Sequence, residues 1–288
     1  MTITPAEGTR RLRAAVVQMT STEDVGRNLA TASALVRQAA QAGATLIGLP
    51  ENFAFLGSNG DHRLAIAEPL DAAAAGAGVP FPGPILGAMS DLARTSGATL
   101  LLGGFPERSE DPRRIRNTAV LLTPDGAVAA RYRKIHLFDV DLPGGARFRE
   151  SDAIEAGADV VVAELPWGGL GLAVCYDLRF PELYRRLTTA GARVLAVPSA
   201  FTAETGKDHW HALLRARAIE NQAFVLAPAQ FGHHGGARAS YGHALIVDPW
   251  GVVLAEHGNQ EGVAVADLDF DYQDDVRAKL PCLTHRRL

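Results

Sequence analysis

A cysteine, a glutamate and a lysine each stand at the end of a strand-like segment of this sequence. Cys175 follows the apolar run 170–174 and precedes a polar turn. Glu51 comes directly after the run 45–50, and Lys134 follows another strand-like segment. Because sheets that contain parallel strands gather functional groups at strand ends, these three side chains are expected to lie close together.

The three residue types form a complete set for nucleophilic hydrolysis. A carboxylate can take the thiol proton, the thiolate can attack a carbonyl carbon, and an ammonium can stabilise the resulting oxyanion. Each residue also has a simpler interpretation. Glu51 could cap a following helix, Lys134 could be a solvated surface lysine, and Cys175 could be an inert core residue. Their joint placement at strand ends favours the catalytic interpretation.

The segments around these residues resemble the nitrilase, or carbon–nitrogen hydrolase, superfamily. The resemblance extends from about Ala14 to the C-terminus. The motifs that carry it are LPEN at 49–52, YRKIHL at 132–137 and CYDLRFPE at 175–182.

Within the superfamily, the chain is most similar to the branch that holds ω-amidase and deaminated glutathione amidase. The stretches 134–144, 209–220 and 239–243 carry this finer resemblance. The last two stretches, with the ending 280–281 and 285–287, are more similar to deaminated glutathione amidase than to ω-amidase.

The resemblance implies amide hydrolysis through a cysteine thioester, with release of ammonia or an amine and with no cofactor and no metal. Glu51, Lys134 and Cys175 match the family's catalytic triad one by one. The implied roles are Glu51 as general base, Cys175 as nucleophile, and Lys134 with the backbone N–H of Tyr176 as the oxyanion site. Glu150 matches a second family glutamate, which would orient the substrate or the lysine, or take part in proton transfer.

A second group of residues is expected to bind the substrate or to support the site. Arg179 stands four residues after the nucleophile, where related enzymes that act on carboxylated amides use an arginine. A guanidinium can bind a carboxylate bidentately, but Arg179 could equally form a structural pair with Asp177 or Glu182. His136 is expected to lie behind the catalytic lysine, on the same strand face. The residues expected to line the pocket are Tyr176, Ala200, Phe201 and Thr202.

Other functions remain open at the level of the sequence. The same triad would serve an ω-amidase, an N-carbamoyl amidohydrolase or a nitrilase. A non-enzymatic alternative is a binding or thiol-sensing protein in which Cys175 is oxidised reversibly, although Cys282 is not an obvious resolving partner. The expected partner is a small amide substrate.

The composition excludes several classes of protein. The chain of 288 residues is 47% hydrophobic and carries 28 basic against 32 acidic side chains, a net charge of −4. That charge offers no basic field for nucleic acid. Cys175 and Cys282 are too few for a disulfide framework or a cysteine-based metal site. No apolar signal segment or membrane span is evident in the sequence, so a cytoplasmic location is expected.

The order of segments predicts an α/β protein with a single domain over residues 1–288 and a core of about 12–270. Hairpins and crossovers both occur, so two mixed sheets with helices outside them are expected. The resemblance implies the same architecture, a four-layer α-β-β-α sandwich. On the resemblance alone, the tail 271–288 is expected at the interface of a homodimer or larger homo-oligomer.

Several segments carry more specific expectations. Helices are predicted over 25–41, 85–96, 181–191 and 209–221. The stretch 138–159 is expected to be mostly structureless. The Ala-rich segment 71–78 is interpreted as an inserted surface loop, with a substrate lid as the alternative. The adjacent histidines His233 and His234 are expected at a solvated loop tip.

Overall fold

The computed structural model describes residues 10–57, 61–70, 81–142, 147–236 and 238–287. Its helices are α1 (Val25–Gln41), α2 (Asp61–Ala65), α3 (Pro84–Ser96), α4 (Pro181–Thr189), α5 (Ala203–Asn221) and α6 (Phe270–Lys279). Its strands are β1 (Arg11–Met19), β2 (Leu46–Gly48), β3 (Thr99–Arg108), β4 (Ile115–Leu122), β5 (Val128–Arg133), β6 (Asp139–Asp141), β7 (Arg147–Arg149), β8 (Val162–Leu165), β9 (Gly168–Leu172), β10 (Ala192–Ala196), β11 (Phe224–Ala227), β12 (Ala229–His233), β13 (Ala239–Tyr241), β14 (Leu245–Val247), β15 (Val253–Glu256) and β16 (Gly262–Asp269). The Ala-rich segment 71–78 lies outside the described residues.

Two mixed sheets form the centre of the fold. The first has the strand order β13-β12-β1-β2-β3-β4-β5, with β16 antiparallel to β1. The second has the order β15-β14-β11-β10-β9-β8, and a separate hairpin joins β6 to β7. In the first sheet β2 runs parallel to β1 and β3, and in the second β10 runs parallel to β9 and β11. The carboxyl ends of β2, β9 and β10 deliver the segments that build the site.

Side chains that alternate along β1 show how the layers pack. Ala14 and Val16 belong to the apolar cluster between the two sheets, whereas Ala15 and Val17 belong to the cluster beneath α1 and α3. On the far side, α4 and α5 pack against β9, β10 and β11 of the second sheet. Because strand side chains point alternately to opposite faces, both faces of the first sheet are covered. The expected α-β-β-α sandwich is confirmed.

The structure differs from two of the expected elements. Residues 138–159 were expected to be mostly structureless, and the described part of this stretch contains the paired strands β6 and β7 and a 3-10 turn at Glu150–Asp152. Helix α5 begins at Ala203 rather than at 209, because its first turns are polar and carry no apolar spacing that the sequence could reveal.

The C-terminal segment is packed against the core beyond the predicted boundary at 270. Asp269 accepts hydrogen bonds from the first backbone N–H groups of α6, which is the usual way to start a helix. The buried Gln273 then donates to the backbone carbonyls of Arg193 and Gln222. Helix α6 therefore packs against the core through Phe270, Gln273 and Val276.

His234 is buried, so its placement at a solvated tip was wrong. Its Nδ1 lies 2.9 Å from the carbonyl oxygen of Ser21, and its Nε2 lies 2.9 Å from the hydroxyl of Ser240. The β12–β13 hairpin folds its loop back over the chain near β1, which a pattern of neighbouring residues cannot show. Within the described ranges, no helix has the length and apolar content needed to cross a bilayer.

Asp177 connects the first sheet to the turn that carries the cysteine. Its Oδ2 accepts from the Tyr132 hydroxyl and from the backbone N–H of Val174, both at 2.8 Å. Its Oδ1 accepts from the backbone N–H of His136 at 3.1 Å and lies 2.7 Å from the Nδ1 of the same residue. Since the side chain is fully buried, these bonds replace all of its contact with water.

Asp177→Ala is expected to lower the free energy of unfolding by roughly 3 kcal/mol or more, because it leaves several buried donors without an acceptor. Urea denaturation of the purified protein measures this. Glu182→Ala is the matched control, since Glu182 is an exposed acid on the neighbouring helix and its loss should change stability by less than about 0.5 kcal/mol. Equal stabilities of the two variants would contradict the role given to Asp177.

Candidate active site

Cys175 is held in a strained backbone conformation at the start of a short 3-10 helix, Cys175–Arg179. Its φ is +49°, in the left-handed region that non-glycine residues rarely adopt. Such a residue costs on the order of 1–3 kcal/mol and persists only where its surroundings impose it. Here the backbone N–H of Cys175 donates to the carbonyl of Pro198 at 3.0 Å. The sharp turn directs the thiol into the cavity rather than into the core.

Glu51 lies in the turn that follows β2 and is almost completely buried. Its Oε1 accepts from Lys134 Nζ at 2.9 Å and from Asn117 Nδ2 at 2.8 Å. Its Oε2 accepts from the backbone N–H of Ala200 at 3.0 Å. The Cys175 thiol also lies within hydrogen-bonding reach of this carboxylate.

Lys134 follows β5 directly and has only 2% of its side chain exposed. Its Nζ lies 2.9 Å from Glu51 and 2.8 Å from Oε2 of Glu150, so one ammonium bridges two carboxylates. Glu150 is held in turn by the backbone N–H of Phe138 at 2.7 Å. The structure therefore brings Glu51, Lys134, Glu150 and Cys175 together, as the sequence predicts.

Asn117 was not foreseen as a site residue. Its Nδ2 donates to both glutamates, at 2.8 Å to Glu51 and 3.1 Å to Glu150, and its backbone carbonyl accepts from the N–H of Lys134 at 2.9 Å. The sequence gives no signal for it, because Asn117 reaches the site only through the antiparallel pairing of β4 with β5.

The charges of the cluster set its protonation state. Burial alone would raise the pKa of Glu51, but the adjacent Lys134 ammonium and its hydrogen bond outweigh burial and lower the pKa to about 2. Burial would likewise lower the pKa of Lys134, yet Glu150 and Glu51 hold it above its usual range. Burial and the Glu51 carboxylate raise the pKa of the Cys175 thiol well above its usual value. The resting site thus holds a neutral thiol beside a charged carboxylate and a charged ammonium.

A cavity of about 220 Å³ opens above these groups. Every residue that the sequence assigned to catalysis or to the pocket lines it, including Tyr176, Ala200, Phe201 and Thr202. His136 does not line the cavity. Its ring stacks on Phe180 at 3.7 Å and contacts Asp177, so it supports the cysteine turn rather than Lys134.

Arg179 lies over aromatic rings at the wall of the cavity. Its guanidinium carbon is 4.9 Å from the ring centre of Phe201 and 6.0 Å from that of Tyr176. Its Nη1 is 3.2 Å from Nδ1 of His209. Within the described ranges, Arg179 pairs with neither Asp177 nor Glu182, so the structural alternative considered for this arginine is not what the structure contains.

Four further arginines line the cavity that the sequence did not point to: Arg63, Arg147, Arg149 and Arg238. Arg147 and Arg149 both pair with Asp141, at 2.8 and 2.9 Å. The Nη2 of Arg63 is buried without a hydrogen-bond partner among the described residues. Burial and the neighbouring Arg238 lower the pKa of Arg63 to about 10, so this guanidinium stays charged near neutral pH.

The whole sequence is similar to a known protein family and to several named relatives. The family model for carbon-nitrogen hydrolases matches residues 13–278. The deaminated glutathione amidase of Synechocystis is 47% identical over 276 residues, covering 95% of this chain and 97% of the relative. The mouse protein of the same name is 45% identical over 277 residues, covering 95% and 82% of the two chains.

The fold is also similar to solved structures of nitrilase-superfamily proteins and amidases. The NitFhit protein of C. elegans has a TM-score of 0.88 at 39% identity, covering 97% of this chain and 66% of that longer chain. Nit3 of Saccharomyces cerevisiae, a member of branch 10 of the nitrilase superfamily, has a TM-score of 0.83 at 28% identity, covering 98% and 99%. A mutant amidase of Nesterenkonia sp. AN1, with acrylamide added at its active-site cysteine, has a TM-score of 0.73 at 30% identity, covering 94% and 98%. The chain therefore belongs to the carbon-nitrogen hydrolase family of the nitrilase superfamily, whose members hydrolyse carbon–nitrogen bonds.

Proposed function

We propose that the protein hydrolyses a small carboxylated amide through a thioester on Cys175, with Glu51 and Lys134 completing the catalytic triad. The observation that carries the proposal is the contact of one buried ammonium with Glu51 and Glu150, beside a strained cysteine at the base of an arginine-lined cavity. The thiol lies beside a carboxylate that can take its proton, and the ammonium is held by Glu51 and Glu150.

In the first step the thiol sulfur bonds to the amide carbon while its proton passes to Glu51. A free thiolate is disfavoured here because the pKa of Cys175 is raised, so proton transfer and attack belong to one event. As negative charge develops on the amide oxygen, the Lys134 ammonium donates a hydrogen bond to that oxygen. That weakens the hold of Lys134 on Glu51, whose pKa rises when the carboxylate needs to accept a proton.

The oxyanion is stabilised by Lys134 and by the backbone N–H of Tyr176. Tyr176 lies in the first turn of the 3-10 helix, where backbone N–H groups have no partner within the helix. When the tetrahedral intermediate collapses, the carbon–nitrogen bond breaks and protonated Glu51 gives its proton to the leaving nitrogen. Ammonia or an amine departs, and the acyl group stays on sulfur as a thioester.

Water then completes the cycle. Glu51 takes one proton from the water, the hydroxide oxygen bonds to the thioester carbon, and the same oxyanion site stabilises the second intermediate. The carbon–sulfur bond breaks, the proton returns to sulfur, and the acid product leaves. Glu150 keeps Lys134 charged through the cycle, because its Oε2, 2.8 Å from Nζ in the resting site, gives the ammonium a second partner when it turns to the oxyanion.

The cations of the cavity indicate a substrate with carboxylates. Since Arg147 and Arg149 are already paired with Asp141, Arg63, Arg179 and Arg238 are the guanidinium groups best placed to take substrate charge. Relatives of 45–47% identity are named deaminated glutathione amidase. Glutathione without its amino group keeps two carboxylates and no ammonium, which suits this excess of cations, and we propose such a molecule as the substrate. A cytoplasmic location accords with a catalytic thiol that must stay reduced.

We also propose that the protein is a homodimer. Large apolar side chains are exposed at the end of α5, in the β14–β15 hairpin, on α6 and just after it, and we take them as one apolar patch. The apolar patch consists of Ile219, Trp250, Val252, Leu254, Tyr272 and Leu280. Its parts adjoin each other, since Ile219 packs beside Gly251 and the carbonyl of Leu280 accepts from Gln222. A second copy of the chain is the partner that we propose for this patch.

Cys175→Ala is expected to reduce kcat by about 10⁴-fold or more without changing the melting temperature, because the nucleophile contributes to chemistry and little to packing. Ammonia or amine release from candidate amides measures the loss. Cys282→Ser is the control, since this exposed cysteine is expected to be dispensable. Early mass spectra with a slow substrate should show the acyl group on Cys175. An acyl group on Cys282, or activity retained by Cys175→Ala, would overturn the triad. Inactivity of the wild type on a panel of amides, nitriles and carbamoyl compounds would instead favour the thiol-sensing alternative.

Arg179→Ala is expected to lower kcat/KM for a dicarboxylate amide by roughly 30-fold or more, because a buried carboxylate loses its charged partner. Hydrolysis of a small neutral amide should change much less. Arg63→Ala should show the same selectivity, while Arg147→Ala is the matched control, a cavity arginine that Asp141 already neutralises. Equal losses on both substrates would remove Arg179 from substrate binding.

Light scattering at micromolar concentration is expected to give about twice the 30.5 kDa mass of one chain. Replacing Trp250 and Leu254 with Asp should yield a monomer, since charges on an apolar interface are costly to bury. Glu110→Lys, at an exposed position outside the patch, should leave the mass unchanged. A monomeric wild type would refute the dimer.

A further inference from the structure

Two histidines and a glutamate form a cluster outside the catalytic cavity. His211 comes from α5, His243 from the bend before β14, and Glu256 from the end of β15. Their nitrogen and oxygen donor atoms all lie within 4.8 Å of one another. None of the three lines the cavity around Cys175, so the proposed hydrolysis gives them no role.

The two histidines of this cluster contact the same carboxylate oxygen. His211 Nε2 lies 3.0 Å and His243 Nδ1 lies 2.6 Å from the same oxygen, Oε1 of Glu256. Ligands of a tetrahedral zinc ion at its usual bond lengths are separated by about 3.4 Å. Side-chain movements of about 1 Å would therefore turn this hydrogen-bonded group into a set of three zinc ligands.

The backbone holds His243 in place at a cost. Its φ is +58°, in the left-handed region, where a residue with a side chain stays only if the surrounding structure imposes it. The Nε1–H of Trp210 donates to the carbonyl of His243 at 2.8 Å, and the ring of Tyr241 stacks on the His243 ring at 4.5 Å. His211 lies within a regular helix. The backbone positions of both histidines are thus fixed before any ion binds.

We propose that His211, His243 and Glu256 bind a zinc ion that ties the β14–β15 hairpin to α5. Two imidazoles and a carboxylate are a donor set that zinc accepts readily. All three side chains remain about one-third exposed or less, with 35%, 22% and 32% of their surfaces accessible. That exposure lets the ion enter and leaves a fourth position for water. The three ligands do not line the cavity of the catalytic thiol, so the ion would take no part in the proposed hydrolysis.

Calorimetric titration of the full-length protein with zinc chloride tests this proposal. Wild type should bind one zinc ion per chain in this site, and its melting temperature should rise with zinc. His211→Ala, Glu256→Gln and His243→Asn should each weaken binding by roughly tenfold or more, because each removes or degrades one ligand. Asn is chosen at 243 because it tolerates the left-handed backbone, so the fold is kept.

Thiols are the main competing zinc ligands, and a second set of variants separates them. The double variant Cys175→Ala/Cys282→Ser should retain the zinc site, and His285→Ala, an exposed histidine near Cys282, should bind like wild type. Zinc binding that survives in all three cluster variants, or that disappears with the cysteines, overturns the proposal. So does the absence of binding at millimolar zinc, which would leave the cluster as a hydrogen-bonded contact alone.

Discussion

The buried ammonium of Lys134 is the constraint on which the rest of the site depends. A charge with 2% exposure is tolerated only when it is paired and fully hydrogen-bonded. Its partners Glu51 and Glu150 come from chain segments that are far apart in sequence, so satisfying the charge fixes the end of β2 and the loop after β7 relative to β5. Two carboxylates against one ammonium leave one excess negative charge, which N–H donors from Asn117 and Ala200 partly offset.

Burying Glu51 requires the backbone of β3 to pack closely against the turn that holds it. β3 carries a bulge at Gly103 and Gly104 where it passes the turn that holds Glu51. A Cβ on Gly104, whose φ is +65°, would lie 2.7 Å from the backbone nitrogen of Asn52 and 2.9 Å from Cγ of Glu51. No other residue type fits so near Glu51 without moving it. The glycine thus lets the neighbouring strand cover Glu51 and exclude water from it.

The local sequence pattern and the family motifs predicted the strand ends and the residues that follow them. The strand-like segments before Glu51, Lys134 and Cys175 located the strand ends, and the family motifs covered the same three residues. What the sequence missed depends on pairing between distant segments. Asn117 reaches the site through strand register, and Arg63 reaches the cavity through a short helix with no apolar periodicity. The buried His234 belongs to the same class, because a hairpin returns it to β1. Such placements depend on contacts between segments that are distant in the chain, and a single sequence does not reveal those contacts.

The distribution of charge gives the cavity a direction. Glu51 and Glu150 are its most buried charged groups beside Lys134, with 4% and 12% of their side chains exposed, whereas Arg63, Arg179 and Arg238 are half-buried. A substrate carboxylate is repelled by the two glutamates and attracted to the three arginines, and both effects are strong where water is excluded. The neutral amide is then the end of the substrate that can approach Cys175. Under the proposed function, the arginines therefore orient the substrate before any bond is made. The carboxylates of Glu51 and Glu150, which disfavour a thiolate at Cys175, also keep the substrate's own carboxylates away from the nucleophile.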